Sequence, residues 1–493
     1  MAEENLKSLA VKGVGWSMAE RYSGQLVEFG ISLILARILT PGEYGLIGML
    51  AIFIGISNVF IDGGFSSALV QCKNRTQRDI STVFFINTTM ALTIYAILFL
   101  AAPWIAEFYN QPLLTKIVRV YCLTLIISSL ASTSRTILVI DLDFKTTTKI
   151  SLFSGIVSGI CGVILAFTGF GVWALVWQSV LSATLYCAAT FFFVRWYPRY
   201  GFSRESFRRL FGFSSKLFAA TIISAVYDNI FGAVIGKKFN SATLGFYNRA
   251  VGFNALLNSN VTSVLSRVSY PLLSRIQDED ERLIGIYQKY IQMSAFFTFP
   301  ILMLLCGIAK PLILFLLTDK WSGAIAMTQI LAFAYMWDGV VVSNLNLIKV
   351  KGRSDLVLKL EVVKKSIAFS ILGIAILMNS VLAICVGRAV YGLVALYLNT
   401  YYTKKLLNYG FIAQIRSYWP YLALSMVVLA EGLLVSHFVS HPFWALCAAV
   451  PLCLGTYLFG CHRFRLYAYT EAVKIIHPML NKFGCKRSHK KTC

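Results

Sequence analysis

The residues able to do chemistry sit inside otherwise apolar stretches. Arg21, Gln25, Glu28 and Ser32 recur at i, i+4, i+7 and i+11, which places them on one face of a helix. Two hundred residues later Thr221, Ser224 and Asp228 occupy the equivalent positions, so the polar stripe repeats. Asn58 and Asp62 extend the first set, and Asn254, Asn258 and Thr262, at four-residue spacing, extend the second, with Arg249 near the end of its helix. Four helices carrying these stripes can face inward around one cavity. Its amides and hydroxyls would suit sugar hydroxyls, and Arg21 would suit a phosphate gripped by two hydrogen bonds. A carboxylate in a low dielectric binds a proton reversibly, so Glu28 and Asp228 are the leading candidates for ion coupling, ahead of Asp62, Asp338 and Glu431. The competing reading is that Arg21 and Glu28 form an ion pair that only stabilises packing.

Charges in an apolar helix are expensive unless a wet cavity or a partner receives them. The chain's 493 residues are 57% hydrophobic and only 14% charged, far too apolar for a soluble surface. The expected fold is an all-α polytopic membrane protein of about fourteen transmembrane helices, in two parallel six-helix lobes plus two extra C-terminal helices. The spans fall at 11–36, 44–70, 81–106, 113–139, 148–168, 170–194, 211–236, 243–266, 286–307, 310–345, 358–378, 381–402, 411–436 and 441–461. The opening residues lack a compact apolar core followed by a small-residue cleavage site, so no removed signal peptide is expected.

Placing both termini in the cytoplasm puts most of the 45 Lys and Arg residues on the cytoplasmic side. Only Arg37, Lys116, Arg119, Lys237, Lys238, Lys310 and Lys320 then lie opposite, and Arg21, Arg135, Arg249 and Arg388 fall within spans. The net charge of +23 is dispersed over short loops, which suits anionic inner-leaflet lipid and argues against nucleic acid.

Thr40-Pro41-Gly42 ends one helix and Glu43 opens the next, where the dipole favours an anion. At the two-hundred-residue offset Glu28 falls on Asp228, Arg37 on Lys237, Gly45 on Gly245 and Asn58 on Asn258. This gives an N-lobe at 1–200, a C-lobe at 201–405, two further spans within 406–462 and a basic cytoplasmic tail at 463–493. The linker 195–216 is expected to include a short interfacial helix. Arg135 with Asp141, and Arg267 with the acidic run 278–281, read as gate or loop salt bridges.

Enzymatic signatures are missing: no phosphate-binding Gly-rich loop with Lys-Ser/Thr, no Gly-x-Ser-x-Gly, no Cys-x-x-Cys and no pair of histidines on one helix face. No catalytic residue, cofactor or metal is expected.

Several motifs resemble the Wzx-like flippases of the polysaccharide synthase family, within the multidrug/oligosaccharidyl-lipid/polysaccharide exporter superfamily. They are ARILTP at 36–41 with Tyr44-Gly45, FIDGGFSSALVQ at 60–71, LDF at 142–144, GVWALVWQ at 171–178, LGFYNRA at 244–250, RVSYPLLSRIQ at 267–277 and Phe299-Pro300. The first is similar to the subgroup of colanic and teichuronic acid exporters. The resemblance implies fourteen helices in a bacterial inner membrane, alternating access, and an undecaprenyl-diphosphate-linked oligosaccharide as substrate, with the polymerase machinery as a further partner. Two alternatives stay open: a membrane-embedded polymerase or glycosyltransferase, and a drug or cation exporter of the same superfamily.

Overall fold

A computed structural model describes residues 21–72 and 74–474. The first half of the first expected span and the basic cluster at 486–491 lie outside the described residues. The chain divides into two compact units, Met1–Gly245 and Phe246–Cys493. Every long element is a helix. In the first unit α1 covers 21–38 of the described chain, followed by α2 (Pro41–Asp62), α3 (Phe65–Gln71), α4 (Gln77–Tyr109), α5 (Leu113–Tyr121), α6 (Leu123–Ile140), α7 (Phe144–Phe167), α8 (Val172–Val194) and α9 (Arg204–Lys238). α10 (Ser241–Arg275) crosses the boundary; α11 (Asp280–Leu317), α12 (Ala324–Tyr335), α13 (Asp338–Val350), α14 (Ser354–Leu377), α15 (Val381–Leu407), α16 (Phe411–Phe438) and α17 (Pro442–Arg463) complete the second unit.

Eleven helical segments among the described residues are long and apolar enough to cross a membrane. α1, α10 and α14 are not among them. They carry the polar residues: Arg21, Glu28 and Arg37 on α1, a run of asparagines and hydroxyls on α10, and Lys359, Glu361, Lys364 and Lys365 on α14.

The corner after α1 forms as its residue types dictate. Thr40 Oγ1 accepts from the Glu43 amide (3.4 Å) while Glu43 Oε2 accepts from the Thr40 amide (2.7 Å), a reciprocal cap, with Pro41 at the first helical position. The expected span 44–70 falls in one apolar segment, Pro41–Gln71, that turns within itself between α2 and α3, because Gly63 and Gly64 both take positive φ (52° and 79°) and Asp62 Oδ2 accepts from the Gly64 amide at 3.2 Å. The expected break between 307 and 310 is absent. α11 runs through both Pro300 and Pro311, and the next apolar segment is Ala324–Val350. The linker contains no separate interfacial helix, since α9 starts at Arg204 and continues unbroken.

In the first unit α9 lies along α2, and the two corners clasp each other reciprocally. A Cβ on Gly45 would lie 1.7 Å from the Ser241 carbonyl oxygen, and one on Gly245 would lie 2.0 Å from that of Pro41. Ser241 and Gly245 are the offset equivalents of Pro41 and Gly45, so each corner inserts its backbone where the other lacks a side chain. In the first turn of α4, the fully buried Asp79 accepts from the Thr76 amide (2.7 Å) and hydroxyl (2.9 Å) and pairs with the half-exposed Arg209 of α9. Arg209→Ala should cost about 2 kcal/mol, between the values for exposed and buried pairs, and lower the melting temperature of the solubilised protein, with Arg209→Lys milder. Unchanged melting in Arg209→Ala would show that the Thr76 cap alone satisfies Asp79.

The second unit is built on α11, which packs against α16 and α17; Gly307 and Gly432 let α11 and α16 approach to backbone contact. A buried amide pair pins α13 to α16: Asn344 Nδ2 donates to Gln414 Oε1 (2.9 Å), Gln414 Nε2 donates to Asn344 Oδ1 (2.8 Å), and the Thr403 hydroxyl donates to the same oxygen (2.7 Å).

Candidate functional site

The first unit holds a cavity of about 1220 Å³ between α1, α2, α3, α6, α7 and α8. Polar side chains from these helices line it, with Asn87 of α4 and Tyr121 of α5 at its edge. α1 supplies Glu28 and Ser32, and α2 supplies Asn58 and Asp62, each pair four residues apart. From α6 come Thr124, Ser128, Ser132 and Arg135 at i, i+4, i+8 and i+11. α7 adds Ser151, Ser154 and Ser158, and α8 adds Gln178, Ser179 and Ser182. Serine allows a wide cavity because its side chain is short. It is tolerated in these helices because the hydroxyl donates to its own backbone, as Ser154 does to the Ile150 carbonyl (2.9 Å) and Ser179 to that of Leu175 (2.9 Å).

Of the expected site residues, Glu28, Asn58 and Asp62 line this cavity. Arg21 and Gln25 lie half-buried on the preceding turns of α1, outside the lining set. Thr221 and Asp228 are exposed on α9, where the Thr221 hydroxyl donates to the Leu217 and Phe218 carbonyls (both 3.0 Å). The remaining three belong to the second unit. Asn254 is fully buried, its amide nitrogen donating to the Ala250 (2.9 Å) and Thr328 (3.2 Å) carbonyls. Asn258 is buried and donates to Asp338 Oδ2 at 3.0 Å. The Arg249 guanidinium lies over the Trp321 ring, 5.1 Å from its centroid.

Both expected salt bridges are corrected. Arg135 has no ion pair with Asp141 among the described residues and instead is one of the residues lining the cavity. The acidic run is held by other partners than Arg267: Asp280 pairs with Lys351 (2.5 Å) and Glu279 with Arg282 (3.1 Å). Sequence reasoning therefore missed Arg135 and the hydroxyl stripes of α7 and α8. The available signal was the spacing of Ser151, Ser154 and Ser158 at i, i+3 and i+7, and of Gln178, Ser179 and Ser182 at i, i+1 and i+4.

Comparison with known proteins places this architecture. Residues 34–326 match the family model described as "Polysaccharide biosynthesis protein". The chain belongs to the polysaccharide biosynthesis protein family. Most of the cavity wall, from Leu35 on α1 through α8, lies inside the match, while Glu28 and Ser32 lie just ahead of it. Among members with curated descriptions, a teichuronic acid biosynthesis protein of Bacillus subtilis is 24% identical over 67% of this chain and 68% of its own. A lipopolysaccharide biosynthesis protein of Escherichia coli is 22% identical over 73% of this chain and 74% of its own. A solved structure of the lipid II flippase MurJ, in an inward closed conformation, superposes with a TM-score of 0.73 over 91% of this chain and 98% of that one, at 13% identity. An inward-facing multidrug resistance transporter of the MATE family follows at 0.61, over 78% and 95%, at 12% identity. This polysaccharide biosynthesis protein thus has the fold of these transporters.

Proposed function

We propose that the chain is a flippase that carries undecaprenyl-diphosphate-linked oligosaccharide units across the bacterial cytoplasmic membrane for surface polysaccharide synthesis. The observation that carries this reading is the serine-lined cavity, wide enough for several sugar rings, in a member of a polysaccharide biosynthesis family with the MurJ fold. A succinoglycan biosynthesis transport protein of Rhizobium meliloti is also similar, 25% identical over 66% of this chain, which favours a transporter over a polymerase or glycosyltransferase.

Arg135 takes the role first expected of Arg21. Arg135 lines the cavity and has no ion pair among the described residues, so its fork of donors suits a diphosphate. The sugars meet Asn58 and the hydroxyl stripes, and Glu28, with Asp228 as its equivalent in the repeat, couples transport to an ion gradient. Transport proceeds by alternating access between the halves 1–200 and 201–405, with 406–462 as two added helices, about fourteen spans and both termini cytoplasmic. Anionic inner-leaflet lipid surrounds the basic loops, and the polymerase machinery receives the product.

The test is the sidedness of undecaprenyl-linked oligosaccharide in cells lacking the protein. Accumulation of complete units on the cytoplasmic face is the expected result. Normal delivery to the outer face without polymerisation, or truncated units inside, would identify an enzyme instead.

A further inference from the structure

The strap 195–203, which joins α8 to α9, has one side tied down and one side facing out. α8 ends at Val194, Arg195 follows in the left-handed conformation (φ 50°), and Pro198 keeps the residue before it out of a helix. Trp196 Nε1 donates to Gln77 Oε1 (3.1 Å) and the Ser203 amide donates to Thr82 Oγ1 (3.1 Å), which stitches the strap to α4. The Arg78 guanidinium, from the same helix, lies 5.7 Å from the centre of the Tyr200 ring. In the first turns of α9, Ser206, Leu210 and Ser214 are buried at four-residue spacing, with Leu210 packed among Phe65, Leu69 and Val83. Arg204 and Arg208, one turn apart, lie on the other, exposed side.

What faces out is basic and aromatic. Residues 195–213 hold five arginines and one acid, Glu205. Arg209 pairs with Asp79, whereas Arg195, Arg199, Arg204 and Arg208 are exposed and make no ion pair among the described residues. Between them Tyr197 (61%), Tyr200 (47%) and Phe202 (57%) leave their rings exposed. The strap is short and lies between Val172–Val194 and Arg204–Lys238, two segments each long and apolar enough to cross a membrane, so it sits at the membrane surface. α9, at 35 residues, is about 50 Å long against a hydrocarbon core of about 30 Å, enough to carry its first turns up to the head groups. Aromatic rings settle at that level, and an arginine fork matches a phosphate.

We propose that the strap and the first turns of α9 form a binding surface for anionic phospholipid head groups, which fixes this end of the first unit to the leaflet. That the leaflet is the cytoplasmic one rests on the flippase reading; the binding chemistry does not. Charge scattered over loops attracts such lipid everywhere, but here it is gathered with aromatic anchors on one folded surface.

The experiment titrates the full chain, purified in a neutral detergent, with phosphatidylglycerol or phosphatidylcholine and counts bound lipid by native mass spectrometry. Phosphatidylglycerol should bind in clear preference to phosphatidylcholine. Each arginine near a lipid surface strengthens the attraction roughly fivefold, so Arg199→Gln combined with Arg208→Gln should weaken phosphatidylglycerol binding about 10- to 30-fold. Neither residue has an ion pair to lose, so melting without added lipid should match wild type. Lys404→Gln combined with Lys405→Gln, at the exposed basic end of α15, should change binding less than about twofold. Equal losses in the two variants, or no loss in the arginine variant, would overturn the proposal in favour of dispersed charge. Phosphatidylglycerol that binds no better than phosphatidylcholine would overturn it too, and binding of polyglutamate in its place would give the surface to an acidic protein segment. No oligosaccharide enters the measurement, so each of these results leaves the flippase reading standing, and failure of that reading would not remove the lipid preference.

Discussion

Cells carrying Arg135→Ala at the wild-type membrane level are expected to lose roughly 10- to 100-fold in surface polysaccharide export, the equivalent of one charge-assisted bidentate contact of about 1.5–3 kcal/mol. Arg135 makes no ion pair among the described residues, so removing it strips no partner from the fold. Thermal melting of the purified variant should therefore stay within error of wild type. Arg135→Lys keeps the charge but not the two-pronged geometry, and should fall between the two. Arg21→Ala is the matched comparison, because Arg21 sits on α1 outside the lining set. Its export should fall less than that of Arg135→Ala. Normal export in Arg135→Ala, or a larger loss in Arg21→Ala, would return the diphosphate to the helix where the sequence first suggested it.

The second large effect belongs to the clasp between the corners. Any side chain at position 45 places its Cβ where the Ser241 carbonyl oxygen now sits, 1.7 Å away, a separation real Cβ atoms do not show. The obstruction is backbone, so no rotamer change relieves it, and the start of α2 must move off the start of α10. Gly45→Val should insert and accumulate yet lose transport, with a stability cost at or above the upper end of the usual overpacking range, about 3 kcal/mol. Ser241→Gly should not rescue it, because trimming the side chain leaves the carbonyl in place. Rescue by Ser241→Gly would show that the Ser241 hydroxyl, not the backbone, is what the valine meets. Full transport in Gly45→Val would show that the corners separate freely during the cycle.

Features governed by local chemistry were readable from the chain. The Thr40-Pro41 stop and the Glu43 cap are determined by neighbouring residues, and the two-hundred-residue repeat anticipated that the two corners would match, although not that they would interlock. Glycine hid a turn inside one span, and the break expected between 307 and 310 is absent. Gly63 and Gly64 sit inside one apolar segment, so its overall hydropathy does not mark the turn that their positive φ creates. Pro300 and Pro311 look like ends, but the packing of α11 against α16 and α17 holds the helix continuous through both.

The site was harder to read than the fold. Charged residues drew attention to α1, α2 and α10, because a charge in an apolar helix always needs an explanation. Serine does not, since it can satisfy its hydroxyl on its own helix whether it faces lipid, protein or a cavity. Thus Ser151, Ser154 and Ser158 passed unnoticed, although they form one cavity wall. Asn254 erred the other way: its spacing with Asn258 suggested a ligand stripe, yet its amide is used to hold α10 to the Thr328 carbonyl. Arg135 was paired with Asp141 as a gate or loop salt bridge, but six residues along a helix place side chains on different faces.

The central claim is that the serine-lined cavity of the first unit receives the sugar head group in transit. The most direct measurement places a photo-crosslinking amino acid at Ser182, on the cavity wall, and separately at Ile160, which is exposed on α7 outside that wall. In living cells with the pathway intact, irradiation should yield adducts carrying undecaprenyl-linked oligosaccharide from position 182 and none from 160. Adducts from position 160 without any from 182 would place the substrate's path outside this cavity and contradict the account.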